Sequence, residues 1–140
     1  MKKRFFLSWL IVYAFDSSTG YLIHHVILGN TYKSLSSVLQ SGDIKNKIWA
    51  FIISSTAGSF FFTLIYSKWK KSGFVIEGLK FGSWIGIWMG LNMALNTYAS
   101  TGLVPFSLAM QWLLYNIIQY ALAGSLVAFA YNFKVKGGAD

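Results

Sequence analysis

Residues Ile48–Tyr66 read IWAFIISSTAGSFFFTLIY, a run without a single charged side chain. As a helix rising about 1.5 Å per residue, it comes close to the ~30 Å thickness of a bilayer's hydrocarbon layer. Three further stretches are comparable: Phe5–Gly29, Phe74–Thr97 and Pro105–Tyr131. In the third of the four spans Glu77 and Lys80 delay the apolar part until about Phe81. Pro105 suits the first turn of the last helix, where a missing N–H costs nothing. The pattern predicts an all-α chain, one membrane domain over residues 1–140, folded as an integral membrane four-helix bundle.

Composition points the same way. The 140 residues are 55% hydrophobic, 19% aromatic and only 11% charged, with a mean hydropathy of +0.51. A soluble domain carries about 25% charged residues to cover its surface, so a soluble fold is excluded. The net charge of +8 would ordinarily suggest nucleic acid or an anionic surface. Here the basic residues sit in short clusters between apolar runs, Lys2-Lys3-Arg4, then Lys68, Lys70 and Lys71, then Lys134 and Lys136. That is the flanking pattern of membrane spans, and no nucleic-acid partner is expected. With no cysteine, disulfides, thiolate metal sites and Cys nucleophiles are excluded.

The first apolar run, Phe5–Phe15, follows a basic N-terminus as a secretory signal would, but apolar character resumes after Asp16-Ser17-Ser18-Thr19-Gly20 and no small-x-small cleavage site ends it. It reads as an uncleaved span. Basic residues concentrate at the N-terminus, the second loop and the tail, while the first loop holds Lys33, Lys45 and Lys47 and the third loop none. Both termini are therefore expected in the cytoplasm. Trp9, Trp69 and Tyr131 mark that side, and Tyr32, Trp49 and Tyr98 the other.

A shift of 66 residues superposes Asn30-Thr31-Tyr32-x-Ser34 on Asn96-Thr97-Tyr98-x-Ser100, and Ala57-Gly58-Ser59 on Ala123-Gly124-Ser125. This predicts two tandem helical hairpins, units 1–66 and 67–140, of the same topology and hence a parallel repeat.

Burying Leu against Leu gains little in lipid, so membrane helices associate by close backbone approach and interhelical hydrogen bonds. Gly78, Gly82, Gly86, Gly90 and Ala94 recur every four residues and draw a small-residue stripe along the third span. A helix should lie in that groove, from the same chain or from another protein. Shorter small-residue faces occur on the second span (Ser54 with Gly58, Ser55 with Ser59) and the fourth (Ala121 with Ser125, Gly124 with Ala128).

Asp16 lies near mid-depth of the first span, where a carboxylate costs about 2.5–3.5 kcal/mol on insertion scales. It has to be paired, protonated or wet. On a regular helix Asp16, Gly20 and His24 share a face, while His25 points about 100° away. Asn92, Asn96, Asn116 and Gln119 add amides on the third and fourth spans, completing a polar intramembrane set of seven. This set reads in three ways: interhelical hydrogen bonding that fixes the packing, a proton or ion pathway, or single-His ligation of a cofactor or pigment, adjacent histidines on one helix being unable to clamp one haem. Glu77 and Lys80 form an i, i+3 pair at the interface worth a few tenths of a kcal/mol.

The sequence contains no HExxH, GxSxG, P-loop or dinucleotide fingerprint, and its acids are too few and scattered for a two-carboxylate site. No catalytic residue, metal site or cofactor is assigned.

Glu77-Gly78-Leu79-Lys80-Phe81-Gly82 through Met93-Ala94-Leu95-Asn96-Thr97-Tyr98-Ala99, then Pro105–Tyr131 with Gln119-Tyr120-Ala121-Leu122-Ala123-Gly124, resembles a group of small uncharacterised bacterial four-span proteins. Asp16 and His24-His25-Val26-Ile27-Leu28-Gly29-Asn30-x-Tyr32 are similar to their first span. The resemblance implies a bacterial inner-membrane protein and no particular activity.

With almost no mass outside the bilayer, the chain is expected to be a non-enzymatic accessory or scaffolding subunit that packs against other membrane proteins or itself. The alternative is a small transporter or proton/ion pathway lined by Asp16, His24, Asn92 and Asn96, and a further one is a pigment-binding subunit.

Overall fold

A computed structural model describes residues 2–36, 44–70 and 72–132. Among them every regular element is helical: α1 (Lys2–Tyr21), a π-helical turn (Leu22–Ile27), α2 (Gly29–Ser34), a 3₁₀ turn (Ile44–Lys47), α3 (Ile48–Trp69), α4 (Val75–Thr101) and α5 (Phe106–Asn132). Lys71, Lys134 and Lys136, used in the orientation argument, lie outside the described residues.

Local chemistry sets the boundaries. Glu77 in the first turn of α4 accepts the backbone N–H groups of Ser72 and Gly73, at 2.7 and 3.1 Å, and the Ser72 hydroxyl. Its carboxylate thus sits at the positive end of the helix dipole. Gly102, at φ 60°, ends α4 in the left-handed conformation that glycine adopts without penalty. Pro105 stands one residue earlier than expected, ahead of the first helical residue, and its carbonyl accepts the N–H groups of Leu108 and Ala109.

The first helical stretch departs further from its expected bounds of Phe5–Gly29. It begins at Lys2, widens into the π turn, where the Leu28 N–H reaches back five residues to Ile23 O at 2.8 Å, and carries on through α2 to Ser34.

The long helices alternate in direction. The start of α1, the end of α3, the start of α4 and the end of α5 meet at one end, where Phe5 packs edge-on against Phe60 and the Lys70 ammonium lies 4.6 Å from the centre of the Tyr131 ring. At the opposite end Ile23, Leu28, Ala94, Val104 and Leu108 form a second buried cluster. The closest helix pair is α4 with α5; α1 leans on both α5 and α3, and α3 scarcely touches α5. Two helices, α3 and α5, are long and apolar enough to cross a membrane.

The glycine stripe of α4 is filled by α5. A side chain at Gly78 would strike the Gly124 backbone and come within 2.6 Å of Ala128 Cβ, and one at Gly124 would strike Gly78 in return. The spare Cα hydrogen of each glycine therefore points at the other's carbonyl, the geometry of a weak Cα–H···O bond. At Gly82 the obstacle is the Tyr120 backbone, at Gly86 it is Ile117 Cα at 2.8 Å, and by Gly90 the nearest atom is a Leu113 methyl at 3.0 Å. The seam is tightest at the basic end and eases away from it. Ala94 continues it, fully buried. Gly58 was expected to serve packing in the same way, but an added Cβ there would meet nothing within 4 Å; α1 offers it no facing glycine.

Candidate functional site

Gln119, the central residue of α5, reaches across to α1. Its amide nitrogen donates to Asp16 Oδ1 at 2.8 Å and to Thr19 Oγ1 at 2.9 Å, with the Asp16 carbonyl further off at 3.3 Å. The Thr19 hydroxyl passes its own proton back to the Phe15 carbonyl at 2.8 Å, so each oxygen has a defined role. Gln119 is the one side-chain donor to Asp16 among the described residues, and it leaves the second carboxyl oxygen without a protein donor.

The carboxyl borders a crevice of about 160 Å³ between α1, α3 and α5, closed on one side by Met89 of α4. Ser54, Ser55 and Ser59 supply its polar wall, and Phe62 and Tyr120 its aromatic one, with ring centroids 5.6 Å apart. None of the lining residues is basic. Trp9 ties α1 to α3 beside it, its indole N–H donating to Ser59 Oγ at 3.2 Å, while the Ser59 hydroxyl donates to the Ser55 carbonyl at 2.7 Å.

Three further hydroxyls on α1 and α3 lie toward the basic end, that of Tyr66 on a ring that packs against Phe81 and Tyr131. Ser8 lies two turns before Asp16 on α1, and Thr63 and Tyr66 follow Ser59 on α3. All three are fully buried, and their hydroxyls have no hydrogen-bond partner among the described residues. Buried polar groups left unbonded are uncommon enough to need a reason.

The remaining members of the polar set are elsewhere. His24 Nδ1 lies 2.6 Å from the Tyr32 hydroxyl, which also receives the Trp112 indole N–H at 2.8 Å. An indole only donates, so the Tyr32 oxygen accepts from Trp112, and one hydrogen, on either the hydroxyl or Nδ1 according to the histidine tautomer, joins Tyr32 to His24. His25 stacks on Tyr21 at 4.6 Å. Asn92 and Asn96 bond each other at 2.8 Å on an exposed face of α4, and Asn116 bonds the Trp112 carbonyl of its own helix at 2.9 Å. Thus Asp16 and Gln119 are brought together and the other five are not. His24 lies within the π turn and bonds Tyr32, eight residues further on, rather than Asp16.

Sequence reasoning took Ser54, Ser55 and Ser59 as packing faces and passed over Phe62 and Tyr120. Their signal is joint: small hydroxyl residues on α3 at the depth of the isolated carboxylate. Among the described residues no group of three or more His, Cys, Asp or Glu could hold a metal ion.

No family model, no curated protein and no solved structure matches this chain.

Proposed function

We propose that this is a non-enzymatic four-span protein of a bacterial inner membrane, both termini cytoplasmic, that works as a small transporter or proton/ion pathway through Asp16. The observation that carries this reading is the Asp16 carboxyl on a crevice with no basic lining residue, held by the amide of Gln119 at the midpoint of α5, a helix long and apolar enough to span a bilayer. A carboxylate at such depth costs several kcal/mol unless a function retains it. The unbonded hydroxyls of Ser8, Thr63 and Tyr66 support a polar route from the crevice toward the basic end. The test is flux. In vesicles containing the purified chain and a pH-sensitive dye, an imposed gradient should dissipate faster than in empty vesicles. Asp16→Asn, which keeps size and hydrogen bonding but not charge, should return the rate to the empty-vesicle value; an unchanged rate refutes the pathway.

The accessory-subunit reading keeps one specific support. Trp9, Ile52, Ile53, Phe60 and Phe61 border an apolar groove of about 380 Å³ on the outer face of α3. The glycine stripe no longer favours it, since α5 occupies that groove. A stoichiometric partner in mild-detergent purification, lost on Phe61→Ala, would establish this reading.

A further inference from the structure

The wall of the crevice is mixed in a way that selects among ligands. The lining combines the Asp16 carboxyl and the serines Ser54 and Ser55 with the aromatic residues Phe62 and Tyr120 and the apolar Val12, Met89 and Ala123. Asp16 and Tyr120 are the titratable groups in that wall, and α3 and α4 contribute none. A hard metal cation wants a shell of six or more oxygens, which half of this wall cannot supply. An anion would meet the carboxylate, and a neutral apolar molecule would bury it unpaired at high cost. A cation whose charge is spread over methyl groups satisfies both kinds of residue. Asp16 neutralises it, and the two aromatic rings attract it through their quadrupoles while accepting its apolar surface. The volume, about 160 Å³, is close to that of a cavity that takes up benzene, ~150 Å³, and admits a ligand of about six heavy atoms.

We infer that the crevice is a binding site for a small organic ammonium ion, with Asp16 as its counter-ion and Phe62 and Tyr120 as its aromatic wall. The inference rests on the reading of Asp16 as the working residue of a pathway, and names the substrate class of that site.

Calorimetric titration of the full chain in neutral-detergent micelles with tetramethylammonium chloride tests it, with sodium chloride as the bare cation and tert-butanol as an uncharged molecule of similar size. Saturable binding of tetramethylammonium alone is expected, weakened at least tenfold by Asp16→Asn and several-fold by Phe62→Leu. Gly58→Leu provides a second variant, placed where a Cβ meets open space and checked by a melting curve like the wild type's; its side chain at the crevice should also weaken binding at least tenfold. Absence of tetramethylammonium binding, equal binding of sodium, or binding indifferent to both Asp16→Asn and Gly58→Leu overturns the inference. Proton flux that depends on Asp16 without tetramethylammonium binding removes the substrate class and leaves the pathway. Binding that depends on Asp16 without any flux does the reverse.

Discussion

The α4–α5 seam and the α1–α3 seam contain matching triplets, Ala123-Gly124-Ser125 and Ala57-Gly58-Ser59, and use them in opposite ways. Gly124 lies backbone to backbone against Gly78, while Gly58 faces open space. The difference lies in the opposing helix. Along its contact face α4 presents a glycine each turn, so two backbones meet; beside Gly58, α1 presents the side chains of Val12 and Asp16 on the crevice wall, and no atom comes within 4 Å of an added Cβ. A small residue makes a close approach only when its neighbour is small as well. Where that condition fails here, the gap is lined by a carboxylate and serines. The tight seam supplies stability and the loose seam supplies the site.

That contrast breaks most readily at Gly82. In Gly82→Leu the new side chain runs into the Tyr120 backbone, and overpacking of this kind costs about 1–3 kcal/mol or more. The variant should melt well below the wild type in detergent, or fail to accumulate; an unchanged melting curve would mean the seam is not close-packed. Next is Gln119→Leu, which removes the single donor to Asp16 and leaves the carboxyl unsatisfied at a cost of about 1–3 kcal/mol. It should lower the melting temperature, and adding Asp16→Asn to it should recover part of the loss. Additive losses in the double variant would show that the two side chains do not interact. The smallest effect belongs to Gly58→Ala. With no atom in the way and about 1 kcal/mol of helix propensity in its favour, it should be neutral or slightly stabilising. A loss comparable to that of Gly82→Leu would erase the distinction between the seams.

These two seams also show what a sequence makes visible. The stripe of Gly78, Gly82, Gly86 and Gly90 declared a groove because a period of four on a helix is a straight line, and only the identity of the occupant, α5, had to come from the structure. Asp16 stood out as an acid isolated in an apolar run. Its partner did not. Gln119 was one amide among four, it stands 103 residues from Asp16, and whether it faces α1 depends on how α5 is rotated about its axis, a property set by the glycine seam. The His24–Tyr32 contact was hidden for a different reason: Tyr32 stands in α2, beyond the π turn, where the spacing of a regular helix no longer tells which residues meet. The crevice was least legible of all. It is a gap between helices, and nothing in the run Ser54–Ser59 states that no atom will come within 4 Å of a Cβ at Gly58.

The central claim is that the loose seam is a polar site open to water at the depth of Asp16. The chain has no cysteine, so a single thiol can be introduced without background. In vesicles, Ser55→Cys on the crevice and Ile53→Cys on the outer face of α3, where Ile53 is 60% exposed, are treated with a charged, water-soluble methanethiosulfonate. The account predicts that Ser55→Cys is modified and Ile53→Cys is not. Equal inertness of the two would make the crevice a dry packing gap and contradict the assignment of a site there.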